Sequence, residues 1–406
     1  MEFCMRLANQ LILKKIEENE QKNSVVSPVS INVVLNMVAA GSKGASLNHF
    51  FDLLGSKTVE EIKSESSKMM AAVAAEHVGL DSANSSAEDN GGIRPVLAMV
   101  NGAWFDRRFP LKPSYDQNIL KGIFNCEAKT VHFETEAEQL REEINAWAEA
   151  ASRGLIKDFL KPGSPNERAA LVLINGLYFK GNWLESYRFD PWCTREKDFY
   201  LLNGDKVSVP FMSSGNDSHY CSLFDGFKVL RVPYENGDHL NNSKQFSMHF
   251  LLPDDRDGLP NLLKKLISNP GKYLTNTSLI ELDKCWIPKF KFSYGFDVLK
   301  AMRNMGTPSS FLTDPHDLSE MMHVPVDADE FEPEMIQKAF IKIDEDGTEA
   351  AAVTEFEGIE ECCMDYQPPK RLISFVADHP FLFVLKEAKS GLAFFIGAVL
   401  DPSQSD

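Results

Sequence analysis

The chain has 406 residues, of which 43% are hydrophobic and 25% are charged. These proportions are typical of a globular protein with enough apolar material for a large core, and they exclude a largely disordered chain. The formal net charge is -17. Nucleic acids and anionic membranes are bound by concentrated lysine and arginine, so we expect neither kind of partner. The sequence also lacks an uninterrupted apolar run of roughly 18 residues, which argues against a membrane-spanning helix.

The predicted elements begin with helices in the first 75 residues. Apolar residues recur at helical spacing in residues 3–20. A second helix is expected to open at Ser27-Pro28 and to end at Gly41. The polar stretch Gly79–Pro95 is rich in glycine and serine and is expected to be a surface loop.

Two apolar stretches, Leu97–Phe105 and Leu171–Phe179, are predicted to be central strands covered on both faces. Between them, apolar residues step along one face of a helix that is expected to end at Gly154. Shorter strands are expected at Asp198–Leu202, Lys206–Met212, Phe227–Pro233, Phe246–Pro253 and Trp286–Ser293.

The sequence shows no internal repeat and no inter-domain linker. Residues 1–406 are therefore expected to form a single α+β domain.

The N-terminal segment and the cysteines bear on the compartment. The first 20 residues carry Glu2, Arg6 and Lys14 at helical spacing instead of the apolar core of a signal peptide. The seven cysteines are scattered, odd in number and without the spacing of zinc ligands, so we expect reduced thiols and no metal site. A cytoplasmic protein is expected, with the nucleus as a second candidate. The cysteines are Cys4, Cys126, Cys193, Cys221, Cys285, Cys362 and Cys363.

No catalytic constellation is evident in the sequence. The motifs GxSxG, GxxxxGK[ST], GxGxxG and HExxH, which mark hydrolases, nucleotide binders and zinc enzymes, are missing. The histidines are dispersed, and His379 is interpreted as a structural hydrogen-bonding residue. Cys362 and Cys363 are adjacent, but the neighbouring Glu360 and Glu361 disfavour the thiolate that redox or metal chemistry needs. We therefore expect neither an enzyme nor a cofactor.

The most informative segment is Ile341–Gly358, with the sequence IKIDEDGTEAAAVTEFEG. Every second residue from Thr348 onward is uncharged, whereas the intervening residues include every carboxylate. This period of two predicts a strand with one buried face, and Gly347 can act as its hinge. Alanine and glutamate also favour helix, so a short surface helix is an equal alternative from the local sequence. The uncharged set is Thr348, Ala350, Ala352, Thr354, Phe356 and Gly358.

Motifs along nearly the whole chain resemble the serpin family, in particular its plant-type intracellular members. Residues 345–352 (EDGTEAAA) resemble the hinge of inhibitory serpins. Residues 375–383 (FVADHPFLF) resemble the segment that follows their reactive loop. Further segments similar to the family are Asn23–Ile31, Asn145–Trp147, Asn175–Trp183, Ile287–Phe290 and Phe395–Gly397.

The resemblance implies a serpin fold of three β-sheets and about nine helices, with a hinge and an exposed reactive-centre loop at residues 341–374. It also implies a polar shutter beneath the central sheet and a breach, at Trp183, where the loop first enters. The implied hinge residues are Glu345, Gly347, Thr348, Glu349, Ala350, Ala351, Ala352, Val353 and Thr354. The implied shutter residues are Asn23, Ser27, Ser30, Asn175 and Gln337.

The activity implied by the resemblance is irreversible suicide inhibition of a serine or cysteine endopeptidase. The protease attacks the loop and forms an acyl-enzyme, and it is trapped when the freed loop enters the central sheet as a new strand. The expected partner is this protease, and the inhibitor itself is expected to be a monomer. The alternative is a non-inhibitory serpin that acts as a chaperone, carrier or storage protein. Such members typically carry bulky or charged hinge residues, which this chain lacks.

Counting from the hinge glycine, as in the family, places the reactive bond between Glu361 and Cys362. An acidic residue before the bond implies a protease with a basic specificity pocket. The stretch that follows is longer than in typical plant members, so cleavage after Cys362, Cys363, Met364 or Asp365 is the alternative. Asp365 would suit an aspartate-directed protease.

Two residues depart from the family pattern. Gln337 stands where the shutter commonly has a histidine, although its amide can still bridge hydroxyl and carbonyl groups. Val353 is bulkier than the usual alanine, but it belongs to the outward-facing set, so we expect it to have little effect.

Overall fold

The computed structural model describes residues 1–18, 20–74, 95–152, 154, 156–214, 218–236, 244–269, 271–274, 277–328, 331–348 and 373–404. The predicted surface loop Gly79–Pro95 therefore lies outside the described residues, except for Pro95. No helix within these ranges is both long enough and apolar enough to cross a membrane.

Most of the helical residues precede the central sheet. The predicted second helix is confirmed, and the hydroxyl of Ser27 caps it by accepting a hydrogen bond from the Ser30 amide at 3.1 Å. The α-helices of the described residues are α1 (Glu2–Glu17), α2 (Pro28–Ala40), α3 (Gly44–Leu54), α4 (Val59–Ala74), α5 (Pro113–Tyr115), α6 (Phe133–Ala151), α7 (Leu259–Ser268) and α8 (Val298–Asn304). Shorter helical segments are a π-helix at Asp116–Lys121 and 3-10 helices at Glu185–Tyr187, Pro191–Cys193 and Pro315–Leu318.

The strands form a separate central sheet and two further sheets that are joined at β10. The central sheet has the order β11-β12-β13-β4-β2-β3. The joined path has the order β1-β16-β15-β9-β8-β7-β10-β6-β5, with β14 beside β10. The strands are β1 (Ser24–Val26), β2 (Val96–Asp106), β3 (Glu127–Val131), β4 (Ala169–Asn182), β5 (Arg195–Tyr200), β6 (Lys206–Ser213), β7 (Ser218–Phe224), β8 (Phe227–Pro233), β9 (Phe246–Pro253), β10 (Ser278–Pro288), β11 (Phe290–Asp297), β12 (Glu332–Ile343), β13 (Gly347–Thr348), β14 (Ile373–Val376), β15 (Phe381–Glu387) and β16 (Ala393–Val399).

The central sheet is covered on both faces. Helix α2 is buried along its whole length, as expected of a helix that is apolar on all sides, and it packs against β4 and β12. On the opposite face, Leu140, Ile144 and Ala148 of α6 pack in one cluster with Trp104 of β2. The two predicted central strands lie within β2 and β4, and their apolar composition reflects this double cover.

One predicted strand is wrong as a single element. Within Trp286–Ser293, strand β10 ends at Pro288 and β11 begins at Phe290, and the two belong to different sheets. Pro288 has no amide hydrogen with which to continue a ladder, so the chain leaves one sheet at Lys289 and enters the other. The predicted strand Asp198–Leu202 is also shifted, because β5 starts earlier, at Arg195, and Leu201 and Leu202 already belong to the turn that follows it.

Candidate functional site

The central sheet contains a seam, which we define as the boundary between β4 and β12. In its lower part the two strands pair directly and in parallel, from Glu332 beside Ala169 to Ala339 beside Leu177. Above this part, β13 lies between the two strands and is antiparallel to both. The first residues of the predicted loop are therefore already a strand of the sheet.

A tight turn reverses the chain between β12 and β13. The carboxylate of Asp344 accepts hydrogen bonds from the amides of Asp346 and Gly347, at 3.2 and 3.3 Å. Lys342 pairs with the same carboxylate at 2.8 Å. The Asp344 amide donates to the Gly347 carbonyl at 3.0 Å. These bonds position the chain to enter the seam as a strand rather than as a helix.

Gly347 lies against the backbone of β4. A Cβ atom at this position would be 2.1 Å from the carbonyl oxygen of Gly181 and 2.8 Å from the Cα of Asn182. Backbone atoms cannot move aside as the end of a flexible side chain can. The position therefore requires glycine as long as the hinge occupies the seam.

Thr348 points into the molecule and is 2% exposed. Its hydroxyl shares a hydrogen bond of 2.5 Å with the hydroxyl of the fully buried Tyr234. Burial raises the pKa of Tyr234 well above its ordinary value, so its hydroxyl stays protonated and can donate. The ring of Tyr234 stacks on Trp183 with 4.5 Å between ring centroids. The side chain of Thr348 is thus held by the stacked pair of Tyr234 and Trp183.

Trp183, the predicted breach residue, contacts the turn directly. Its indole nitrogen donates to the carbonyl of Asp344 at 3.0 Å, and its amide donates to the carbonyl of Asp346 at 2.9 Å. The side chain is fully buried. Trp183 therefore holds both the turn, through these bonds, and Thr348, through Tyr234.

The side chain of Glu345 connects the turn to residues outside the central sheet. Its carboxylate accepts a hydrogen bond from Thr194 at 2.7 Å and pairs with Lys289 at 2.7 Å. Partial burial works to raise the pKa of Glu345, but these two bonds outweigh it and hold the pKa below its ordinary value. The carboxylate is therefore ionised at neutral pH, and it ties the hinge to the neighbouring sheet.

The structure separates the five predicted shutter residues into three groups. Asn175 and Gln337 are partners across the closed part of the seam, and both side chains are fully buried. Asn23 instead binds the backbone near the C-terminus, accepting from the amides of Leu400 and Asp401 at 2.8 and 3.0 Å.

Of the remaining two shutter residues, Ser27 caps the buried helix α2 and Ser30 lies in its first turn. The Asn175 amide also donates to the side chain of Asn101 at 2.6 Å, which extends the polar group into β2. The structure thus gathers Asn175 and Gln337, together with Asn101, at the seam, and it places Asn23 at the C-terminal segment.

Comparisons with known proteins identify the family. The family model described as "Serpin (serine protease inhibitor)" matches residues 1–402. Serpin-ZX from Arabidopsis thaliana is 38% identical over 409 aligned residues, which cover 99% of this chain and 97% of that protein. The chain belongs to the serpin family. Serpin-Z2B from Triticum aestivum is 36% identical, with coverage of 98% and 94%.

The fold comparison agrees with the family. A solved structure of Arabidopsis AtSerpin1, described as a native stressed conformation, aligns with a TM-score of 0.80 at 34% identity and covers 99% of this serpin and 98% of that chain. The serpin fold expected from the sequence is thereby confirmed. Protease inhibition is the activity that the family description names, so the chain belongs to a family of inhibitors and not of enzymes.

Several residues of the site were missed by sequence reasoning. Tyr234 binds Thr348, Asn101 binds Asn175, and Thr194 and Lys289 bind Glu345. None of them belongs to the hinge pattern, and each lies far from its partner along the chain. For Lys289, a signal was present, because it belongs to the segment Ile287–Phe290 that resembles the family.

Part of the predicted site lies outside the described residues of this serpin. The described hinge residues are Glu345, Gly347 and Thr348. The choice between strand and helix for the segment after Thr348 is therefore left to the proposal below. The predicted hinge residues outside the described part are Glu349, Ala350, Ala351, Ala352, Val353 and Thr354. The candidates for the reactive bond outside it are Glu361, Cys362, Cys363, Met364 and Asp365.

Proposed function

We propose that this serpin traps a serine or cysteine endopeptidase covalently and irreversibly. The protease cuts the loop and becomes attached to it as an acyl-enzyme, and the freed loop then enters the seam between β4 and β12. Movement of the attached protease across the molecule distorts its active site before deacylation. The observation that carries this proposal is the position of Gly347 and Thr348, which already lie in the seam.

The register of the seam supports insertion without sliding of its walls. Thr348 faces Gly181 of β4 and Ile343 of β12. Asn175 lies six residues before Gly181, and Gln337 lies six residues before Ile343. Asn175 and Gln337 face each other directly in the closed part. The two walls therefore have the same alignment where they hold β13 and where they pair directly. They need only move apart to admit a longer strand.

The length of the seam fits the proposed reactive bond. Extended in the same antiparallel register, the loop reaches the start of β4, Ala169, with Glu360, and the start of β12, Glu332, with Ile359. The strand then fills the seam and ends just before Glu361. This agreement favours cleavage between Glu361 and Cys362 over the later candidates, whose use would leave several loop residues below the sheet.

The free energy released by insertion is large compared with the stability of a domain. Each ladder hydrogen bond contributes about 0.5–1.5 kcal/mol net, so about ten new bonds release on the order of 10 kcal/mol. Domains are typically stable by about 5–15 kcal/mol. The set from Thr348 to Gly358 would be buried at the same time without an opposing charge. Glu360, the next residue of the same parity, would lie at the end of the strand beside Ala169.

The test is incubation with a panel of serine and cysteine proteases, including enzymes that cleave after glutamate and after aspartate. We expect an adduct that survives denaturing electrophoresis with at least one glutamate-directed enzyme. Mass spectrometry of the released C-terminal peptide locates the cut, which we expect before Cys362. Clean cleavage by every enzyme without any adduct would refute trapping and favour the non-inhibitory alternative.

A further inference from the structure

Three basic side chains form a row across neighbouring strands of one sheet. His249 of β9 is the register partner of Arg231 on β8 and of Val384 on β15. Lys386 has the same parity as Val384 and lies diagonally opposite His249. Side chains in these positions of an antiparallel sheet share one face and are close enough to interact. His249 therefore has a cationic neighbour on each side.

The side chain of His249 is inside the protein and incompletely hydrogen-bonded. His249 is 3% exposed. Among the described residues, its Nδ1 atom has no hydrogen-bond partner, and the same holds for the buried Nε atom of Arg231. The guanidinium of Arg231 instead lies over the ring of Tyr220, 4.0 Å from the ring centroid. Buried polar atoms are almost always paired, so an unpaired ring nitrogen beside two cations needs an explanation.

The charged groups of the elements packed against β9 do not balance this row. These elements include β8, β15 and α7. The carboxylate of Glu387, one residue beyond Lys386, accepts hydrogen bonds from the amides of Lys389 and Ser390 at 2.9 and 2.6 Å. Within the described residues, no negatively charged partner faces His249. The other charged residues of these elements are Lys228, which pairs with Asp254, Lys265, which pairs with Asp225, and the exposed Lys264.

The imidazole of His249 is therefore uncharged in the folded protein at neutral pH. Burial, together with the charges of Lys386 and Arg231, lowers the pKa of His249 from 6.5 to about 3. In the unfolded chain, the ring regains its ordinary pKa. Between these two pH values the unfolded state binds more protons than the folded state. The stability contributed by the neutral ring is complete above about pH 6.5 and is lost as the pH falls.

We propose that His249 is an acid-sensitive switch built into the sheet of β8, β9 and β15. The ring fits between Arg231 and Lys386 only while it is uncharged, so a proton on it opposes the folded state. The protein is then most stable at neutral pH, and mild acid destabilises it. This switch acts on the folded chain itself and does not depend on the trapping of a protease.

The test compares urea unfolding at pH 7 and at pH 5 for the parent protein and for His249→Phe, which keeps a ring but cannot titrate. In the parent, we expect His249 alone to raise the unfolding equilibrium constant about 25-fold between pH 7 and pH 5. His249→Phe removes this contribution, so its unfolding constant should change about 25-fold less over the same range. The control is His316→Gln, which replaces an exposed histidine and should respond to pH as the parent does.

A second variant and a direct measurement guard against misfolding of the first variant. His249→Gln keeps a polar side chain without a titratable group, and we expect it to lose the same part of the pH dependence. NMR of the imidazole in the folded parent at pH 5 should show a neutral ring. A protonated ring at pH 5, or the same pH dependence in the parent and in both variants, would overturn the proposed switch. Adduct formation at pH 7 is a separate measurement, so the proposed trapping can fail or succeed without changing this result.

Discussion

At Gly347 the backbone of the hinge passes so close to β4 that a hydrogen atom, but not a methyl group, fits on its α-carbon. The space is limited by the carbonyl of Gly181, which belongs to the wall of the seam. A glycine usually attracts attention for its conformational freedom. At position 347, glycine is required for a different reason, which is the close approach of the two backbones.

Replacing this hydrogen by a methyl group should displace the hinge from the seam. Overpacking a tight contact costs about 1–3 kcal/mol. Since about 1.4 kcal/mol is tenfold in a ratio of rates, we expect Gly347→Ala to raise the number of inhibitor molecules consumed per trapped protease about tenfold. Titration of a target protease measures this number. The control is Gly271→Ala, whose added methyl group meets none of the described atoms within 4 Å. Equal titration end points for the two variants would contradict the contact argument.

Individual residues were predictable from the sequence where a motif included them and not where a contact crossed the chain. Trp183 and Thr348 belong to segments that resemble the family, and the structure brings them together at the top of the seam. Tyr234 completes the same contact, but it is 114 residues from Thr348, and no pattern connects the two. Asn23 belongs to a matching motif as well, yet its bonds stabilise the C-terminal segment.

At the scale of elements, alternation along the hinge is the property that matters. Thr348, the first residue of the uncharged set, points inward, because its side chain is buried beside Tyr234. In the proposed inserted strand, the carboxylates of Glu349, Glu355 and Glu357 would belong to the outward set. A strand of this pattern can be buried on one face without the cost of an unpaired charge.

A charge on the inward set should therefore stop insertion, and the same charge on the outward set should not. We expect Thr348→Arg to be cut without forming an adduct, because burial of an unpaired charge costs several kcal/mol. We expect Glu355→Arg to form the adduct at close to the parent rate. Time courses on denaturing gels measure both. An adduct from Thr348→Arg at the parent rate would contradict insertion on this face.

The local pattern of apolar and polar residues predicted which segments are strands better than it predicted how the strands assemble into sheets. The runs that became β8 and β9 were predicted with their observed bounds. The division between β10 and β11 was missed, because both sides of Lys289 are apolar and extended, and only the sheets they join differ. The entry of β13 between β4 and β12 was also beyond local reasoning, since it depends on partners more than a hundred residues away.

At the scale of the whole molecule, the proposed mechanism requires that the uncleaved protein have an alternative state with more hydrogen bonds. Below β13 the seam pairs β4 with β12 directly, and within the described residues the buried amides of Asn175 and Gln337 keep polar atoms without a partner there. Above this part, the turn and Thr348 are held by Trp183, Tyr234 and Glu345. A strand that continues from Thr348 in the same register would have the length of the seam. In the proposed mechanism, cleavage of the loop frees the remainder of that strand to complete the sheet.

The measurement that tests this account most directly is the thermal unfolding midpoint of the protein before and after a single cut within residues 358–365. A protease that is not trapped serves for the cut, so the result does not depend on knowing the target. Insertion worth on the order of 10 kcal/mol predicts a rise on the order of 10 °C or more. An unchanged or lower midpoint after the cut would contradict the account, because the loop would then have no place in the seam.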